Sequence, residues 1–426
     1  MPQEPQSLRH FGRSPKGIEP SPRTHLFLRP RELSRQDSSS ILRWDLDGGD
    51  VNHSLYWTVP SEFDQILPDA DRADHALCAA LLYAMSCKKH VHCEGVLSPS
   101  LLEGLEELQS VWAKWCPQKY SRIQISAERY SDVEKRTGAA GTLVAFSGGV
   151  DSLFSTFRHR TGEAGFGTKS IEAALMVHGM DIPLQDQGTF AAALERSRKQ
   201  LEKTGISLIP VATNARLVPQ LWEDAFGLIL GSCLLMFQKR YQYAMNGSEE
   251  AYDQLCIPWG ATPITTPLVS TSSMRSIEDG GGFNRTEKVG WLGNHCREAL
   301  FHVRVCWAGK QLYKNCGKCE KCIRTMLNFW VNDLPCDQTF DGDLSVAIVR
   351  DVRVSLVQLA FLRELEAAAT HKKGRRDPIF RALRSAVRKN SFRMRWEALR
   401  EKISPSNSVL LKTAVRAVPK FRESFR

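Results

Sequence analysis

No stretch of this sequence is apolar over the roughly 18 residues that a membrane-spanning helix needs. Its first residues lack the apolar core of a secretory signal. Glu4, Glu19 and six prolines between Pro2 and Pro30 point instead to a disordered extension over residues 1–40. No internal repeat is evident, which sets aside repeat architectures. Twelve cysteines are present, yet nothing marks a disulfide scaffold in a chain of 426 residues without such a signal. Three of them crowd into Cys316-x-x-Cys319-x-x-Cys322, a spacing that suits a metal and a reducing compartment, the cytoplasm. A hydrophobic fraction of 42% and a charged fraction of 24% are ordinary for a globular protein. The length predicts two or three structural units.

Charge is placed unevenly. Residues 371–426 carry 17 Lys and Arg against 4 Asp and Glu, which exceeds the net +10 of the whole chain. The basic character therefore belongs to the tail, and the central body is net acidic.

Four segments follow from periodicity and composition: the extension at 1–40, an α+β domain at 41–138, an α/β domain at 139–342 and a basic helical region at 343–426. The α+β domain has strands near 54–60, 91–95 and 121–125 and helices near 73–86 and 101–115. It shows no catalytic constellation and is read as a packing or recognition domain. From Gly141 apolar strands (142–146, 171–177, 206–211, 241–245) alternate with helical stretches (through Arg158, 189–204, 217–239). That alternation predicts a doubly wound parallel sheet with ligands beyond the carboxyl ends of its strands. One helix is expected over 346–367. A second, basic and amphipathic, is expected over 378–403 with Ile379, Phe380, Leu383, Val387 and Phe392 on or near one face.

Ser147-Gly-Gly-Val-Asp-Ser152 falls between the first of these strands and a helix. Gly148 and Gly149 let the backbone turn and approach phosphate closely. The N–H groups and dipole of the next helix favour an anion there. Ser147 and Ser152 add hydroxyls, Val150 completes the loop, and Asp151 suits Mg²⁺ better than bare phosphate. No Gly-Lys-Ser/Thr follows, so this is not a Walker loop. Further along, Cys306, Cys316, Cys319 and Cys322 supply the four thiolates of a closed, structural zinc site. An iron–sulfur cluster remains the alternative.

The loop resembles the PP-loop of the N-type ATP pyrophosphatases, which include GMP, asparagine and NAD synthetases and several tRNA-modifying enzymes. Together with Asn315-Cys-Gly-Lys-Cys-Glu-Lys-Cys-Ile-Arg324, the segment 142–326 is similar to 7-cyano-7-deazaguanine synthase of queuosine biosynthesis. Gly247, Thr266-Pro267-Leu268 and Lys288 fall in that family's order. The resemblance implies a Rossmann-like PP-loop domain that cleaves ATP to AMP and pyrophosphate, adenylates a substrate carboxylate or amide, and makes a C–N bond. The 140 or so residues ahead of the loop, His178-Gly-Met-Asp-Ile-Pro183 and Trp259-Gly-Ala-Thr-Pro263 depart from the family, which implies a paralogue with a changed substrate pocket.

Position then nominates the remaining site residues. Arg285 and Lys288 would join Asp151 in neutralising the leaving pyrophosphate. His178, Asp181, Asn214, Arg216, Gly247 and Ser248 follow strand ends and are substrate candidates, while Asp279-Gly-Gly-Gly282 reads as a flexible lid or a ligand contact. The cofactors expected are ATP, Mg²⁺ and Zn²⁺. The partners expected are a small carboxylate or nucleobase-like substrate, a nucleic acid or acidic partner at the tail, and further copies of the chain in a homo-oligomer. A tRNA-modifying enzyme and a nucleotide sensor without turnover are the competing functions.

Overall fold

A computed structural model describes residues 20–48, 51–133 and 141–403. Eleven strands form one sheet. In chain order they are β1 (His25–Pro30), β2 (Ser34–Gln36), β3 (Ser39–Gly48), β4 (Val51–Pro60), β5 (His90–Leu97), β6 (Ile125–Tyr130), β7 (Thr142–Ala145), β8 (Ile171–His178), β9 (Ser207–Thr213), β10 (Tyr243–Gly247) and β11 (Arg275–Asp279). The spatial order is β11-β10-β7-β8-β9-β4-β3-β1-β5-β6, with β2 on β3. From β11 to β9 every pairing is parallel. Neighbouring β7 and β10 are far apart in sequence, so the strand order reverses there. Such a reversal opens a crevice at the carboxyl ends of the two strands.

The helices are α1 (Asp74–Cys87), α2 (Pro99–Trp115), α3 (Val150–Arg160), α4 (Gln187–Leu201), α5 (Trp222–Leu235), α6 (Arg285–His295), α7 (Arg297–Phe301), α8 (Glu320–Val331), α9 (Val346–Asp351), α10 (Leu356–Lys372) and α11 (Pro378–Ile403). Along β7 the side chains alternate. Leu143 and Ala145 join a core built with α1, α2 and α5 on one face, while Val144 and Phe146 join a core with α3, α6, α8 and α10 on the other. The α/β class with helices on both faces is therefore present.

The expected disordered extension ends earlier than residue 40. Residues 25–40 form β1, β2 and the start of β3, and residues 1–19 lie outside the described residues. Leu26 and Leu28 are fully buried, and β1 lies between β3 and β5. Pro20, Pro22 and Pro30 fall before or at the end of β1, where a missing N–H costs no ladder bond.

The 41–138 segment does not keep a sheet or a core to itself. Strands β4 and β9 pair antiparallel through Trp57↔Thr213 and Thr58↔Ala212, so the mostly parallel sheet is mixed and continuous. One apolar cluster holds Trp44, Trp57 and Trp112 together with Leu143, Ile229 and Met274.

The tail departs in two ways. The helix expected over 346–367 is split into α9 and α10, because Ser355 starts a new helix with a reciprocal capping box to Gln358. Helix α11 buries Phe380, Leu383 and Val387 against the second core, but Phe392 is 71% exposed and stands on another side. The stretch 404–426 lies outside the described residues. Among the described residues no helix is long and apolar enough to cross a membrane.

Candidate active site and metal centre

Strand β7 delivers the chain to the crevice, and the 147–149 turn starts α3. Gly148 has φ of +72°, a left-handed conformation that favours glycine. A Cβ at Gly247 would lie 2.6 Å from the Asp151 carbonyl oxygen. Only glycine lets β10 end this close to the loop. Ser147 is exposed, whereas Ser152 is buried and its hydroxyl donates to Gly149 O at 3.1 Å. The Ser152 hydroxyl thus braces the turn.

Arg304 was not singled out from the sequence. Its backbone N–H donates to Gly148 O at 2.8 Å and its guanidinium to Ser147 O at 3.2 Å. It also lies 3.6 Å from Asp181, so Asp181 is brought to the edge of the loop. No local signal marks Arg304, since its contacts exist only once the chain returns past the loop.

Helix α6 supplies the positive charge. Asn284 caps it in a reciprocal box with Glu287, which fixes the first turn. Arg285 and Lys288 are three residues apart and so share a face. Both reach Asp151: Arg285 hydrogen-bonds one carboxylate oxygen, and Lys288 Nζ lies 3.3 Å from the other. Lys288 also donates to the Ser248 carbonyl. Lys288 is 1% exposed and Arg285 4%. Charges so deeply buried persist only when paired, and Asp151 is the shared counterion.

Two further carboxylates frame the cations. Glu249 lies 3.8 Å from Arg285 and 3.6 Å from Lys321. Burial would raise its carboxyl, but Lys321, Arg285 and Arg324 overcome that and hold it at about 2. Glu278, on β11, is pushed up to about 7 by burial, although Thr266 and Asn246 donate to it at 2.7 and 2.8 Å. Neither was singled out by sequence reasoning: Glu278 lies on β11, which is short and carries little alternation, and Glu249 lies in the loop after β10, where no local pattern marks it. The Gly280–Gly282 stretch joins β11 to α6 and is held in place, with Gly281 O accepting from Tyr252 N at 2.8 Å.

The other strand-end candidates have structural partners. His178 is buried, stacked on Phe190 with ring centroids 4.3 Å apart and bonded to Pro183 O at 2.9 Å. Burial lowers its pKa and so favours the neutral ring. Asn214 accepts from Tyr56 N at 2.8 Å and donates to Ser54 O at 2.7 Å, which ties β9 to β4. Arg216 bonds Met180 O and lies over Trp222. The Ser248 hydroxyl donates to Glu250 O at 2.7 Å. The structure therefore gathers Ser147–Ser152, Gly247, Ser248, Arg285 and Lys288 into one place, with Asp181 at its rim. It commits His178, Asn214 and Arg216 to packing.

Cys306, Cys316, Cys319 and Cys322 converge, with their sulfurs all within 4.8 Å of one another. The Cys306–Cys319 and Cys316–Cys322 separations are both 3.9 Å. A single ion about 2.3 Å from each of four tetrahedral sulfurs would set them about 3.8 Å apart. The cluster therefore fits a mononuclear ion, while an iron–sulfur core of several atoms would need them wider. Crowded together, the thiols cannot all ionise alone. Hydrogen bonds from Cys319 and Cys322 pull Cys306 far below the thiol range, and Cys306 pushes Cys319 up to about 12. A cation between them removes that conflict. Asn315 holds the knuckle, accepting from Val305 N at 2.9 Å and Cys306 N at 3.2 Å while donating to Val303 O and Thr339 O. Cys319 is the residue from which α8 starts.

Comparisons with family models, curated proteins and solved structures find no match for this chain.

Proposed function

We propose that this chain is an ATP-dependent ligase of the PP-loop type. It cleaves ATP to AMP and pyrophosphate and adenylates a carboxylate or amide of a small, nucleobase-like substrate. One observation carries the reading: the glycine turn at the mouth of the β7–β10 crevice is faced by two buried cations, Arg285 and Lys288, that share Asp151. The α3 N–H groups and these cations suit a pyrophosphate leaving group, whose developing charge they would meet with little rearrangement. Asp151 would hold Mg²⁺ with the nucleotide, and that ion would supply further charge neutralisation. The chain's own contribution is position and electrostatics, since no nucleophilic side chain is needed for adenylation. A sensor that only holds nucleotide has no use for two buried cations on one carboxylate. We assign zinc to the four cysteines, in a structural role, because four thiolates leave no open position for chemistry.

The test is product analysis with Mg²⁺·ATP and a panel of carboxylates, amides and nucleobases. AMP and pyrophosphate are expected in equal amounts, and Asp151→Asn should abolish turnover. Because it also takes the shared counterion from Arg285 and Lys288 it should lower the melting temperature, so activity is compared per folded molecule. Lys288→Met should slow turnover by roughly 100-fold or more. Release of ADP and phosphate would refute the assignment.

A further inference from the structure

Helix α11 carries two apolar stripes on opposite sides. The inner one runs through Phe380, Leu383 and Val387, all buried, to the partly buried Met394. The outer one is Phe392, Trp396 and Leu399, which are 71%, 53% and 48% exposed. At about 100° per residue these three fall within an arc of about 60°, roughly opposite Leu383 and Met394. Basic side chains line both borders of that arc: Arg388 and Arg395 on one side, Lys389 and Arg400 on the other, all exposed. Glu397 lies away from the stripe and faces Arg393 at 3.7 Å.

We infer that this outer stripe is a docking face for an anionic lipid surface. Charge complementarity is one argument, because Arg388, Arg395 and Arg400 flank the stripe and Glu397 is turned away, although Lys389 lies 3.7 Å from Asp351 and is partly neutralised by it. The chemistry of the stripe is the second: Trp and Phe beside Leu, flanked by arginines, suit the boundary between headgroups and acyl chains. The third is shape. Residues 380–394 hold the opposite side of the helix on the protein body, so a partner that wraps a helix in a groove would find half of it taken. A planar bilayer needs only the outward face. Two turns of helix, about 10 Å, would give peripheral and reversible attachment.

The inference does not depend on the proposed ATP chemistry. It is tested with the full chain by flotation with phosphatidylcholine vesicles, with and without about 30% phosphatidylserine. Binding to the anionic vesicles only, weakened by salt, is expected. The triple substitution Phe392→Ser, Trp396→Ser, Leu399→Ser should weaken it by about tenfold or more. Its thermal unfolding should match the unsubstituted protein, because the side chains are exposed. No flotation, or flotation untouched by the triple substitution, would overturn the inference. So would RNA binding or self-association that the same substitution abolishes while vesicles are ignored, since the face would then serve nucleic acid or a second copy.

Discussion

Glu249 and Glu278 are both carboxylates beside the loop, yet their surroundings drive them in opposite directions, to about 2 and about 7. Three cations surround Glu249, while Glu278, on β11, is held by the neutral donors Asn246 and Thr266. A carboxyl raised in the folded state binds its proton more tightly there than in the unfolded chain. Its contribution is therefore neutral in acid and becomes unfavourable as pH rises from about 4.5 through about 7. Gln at this position keeps an acceptor for Asn246 and Thr266 but cannot ionise. Glu278→Gln should then come close to the parent below about pH 4 and exceed it at pH 8, by on the order of 1 kcal/mol or more. Melting curves at the two pH values decide it, and an equal difference at both would mean that Glu278 is already ionised. For Glu249 the sign reverses. Its contribution is present above its ordinary pKa and is lost only as pH falls through about 2.

Among the elements, α8 connects the cysteine knuckle to α6. It starts at Cys319 and packs along α6, where Thr286 Oγ1 donates to Asn328 Oδ1 at 2.7 Å and Asn332 Nδ2 to Thr286 O at 2.9 Å. Thr286 lies between Arg285 and Lys288 on the chain. Because a metal site of this kind forms only on folding, metal affinity adds to fold stability. Metal analysis should find about one zinc per chain and no visible absorption. Cys319→Ser or strong chelation should lower the melting temperature and the soluble yield more than activity per folded molecule. A brown protein with iron and sulfide would contradict the assignment. Helices α2 and α11 were legible from their apolar period, and α1 from an almost continuous apolar run that reads as a buried helix. Strands β1, β2 and β11 were not, nor was α6. The three strands are short, and α6 turns Arg285 and Lys288 inward to face Asp151, against the rule that charge points to water.

At the scale of the molecule, the two halves share one continuous sheet and one apolar cluster. Helix α1 packs on α5, and β4 pairs with β9, across the boundary that composition alone predicts near residue 138. Heating should give one unfolding transition by fluorescence and circular dichroism alike, and two separable transitions would show that the halves fold independently. Asn214→Ala removes both side-chain bonds to β4 and should cost about 1 kcal/mol. It should leave the proposed ATP turnover unchanged, whereas a raised KM without loss of stability would return Asn214 to the candidate substrate pocket.

The sequence by itself determined what is contiguous. A six-residue glycine turn after a strand, three cysteines within seven residues, and a long amphipathic helix are set by local geometry and spacing, and each was legible. The tertiary structure decided which charges meet. Asp151 and Lys288 are separated by 137 residues, and their pairing depends on β10 lying next to β7 and β11 next to β10. The same holds for Arg304 against the loop, for Asn214 against β4 and for the side of α11 that Phe392 occupies. Each of these depends on packing between distant segments, where burial strengthens electrostatics and leaves a charge few alternatives to its partner.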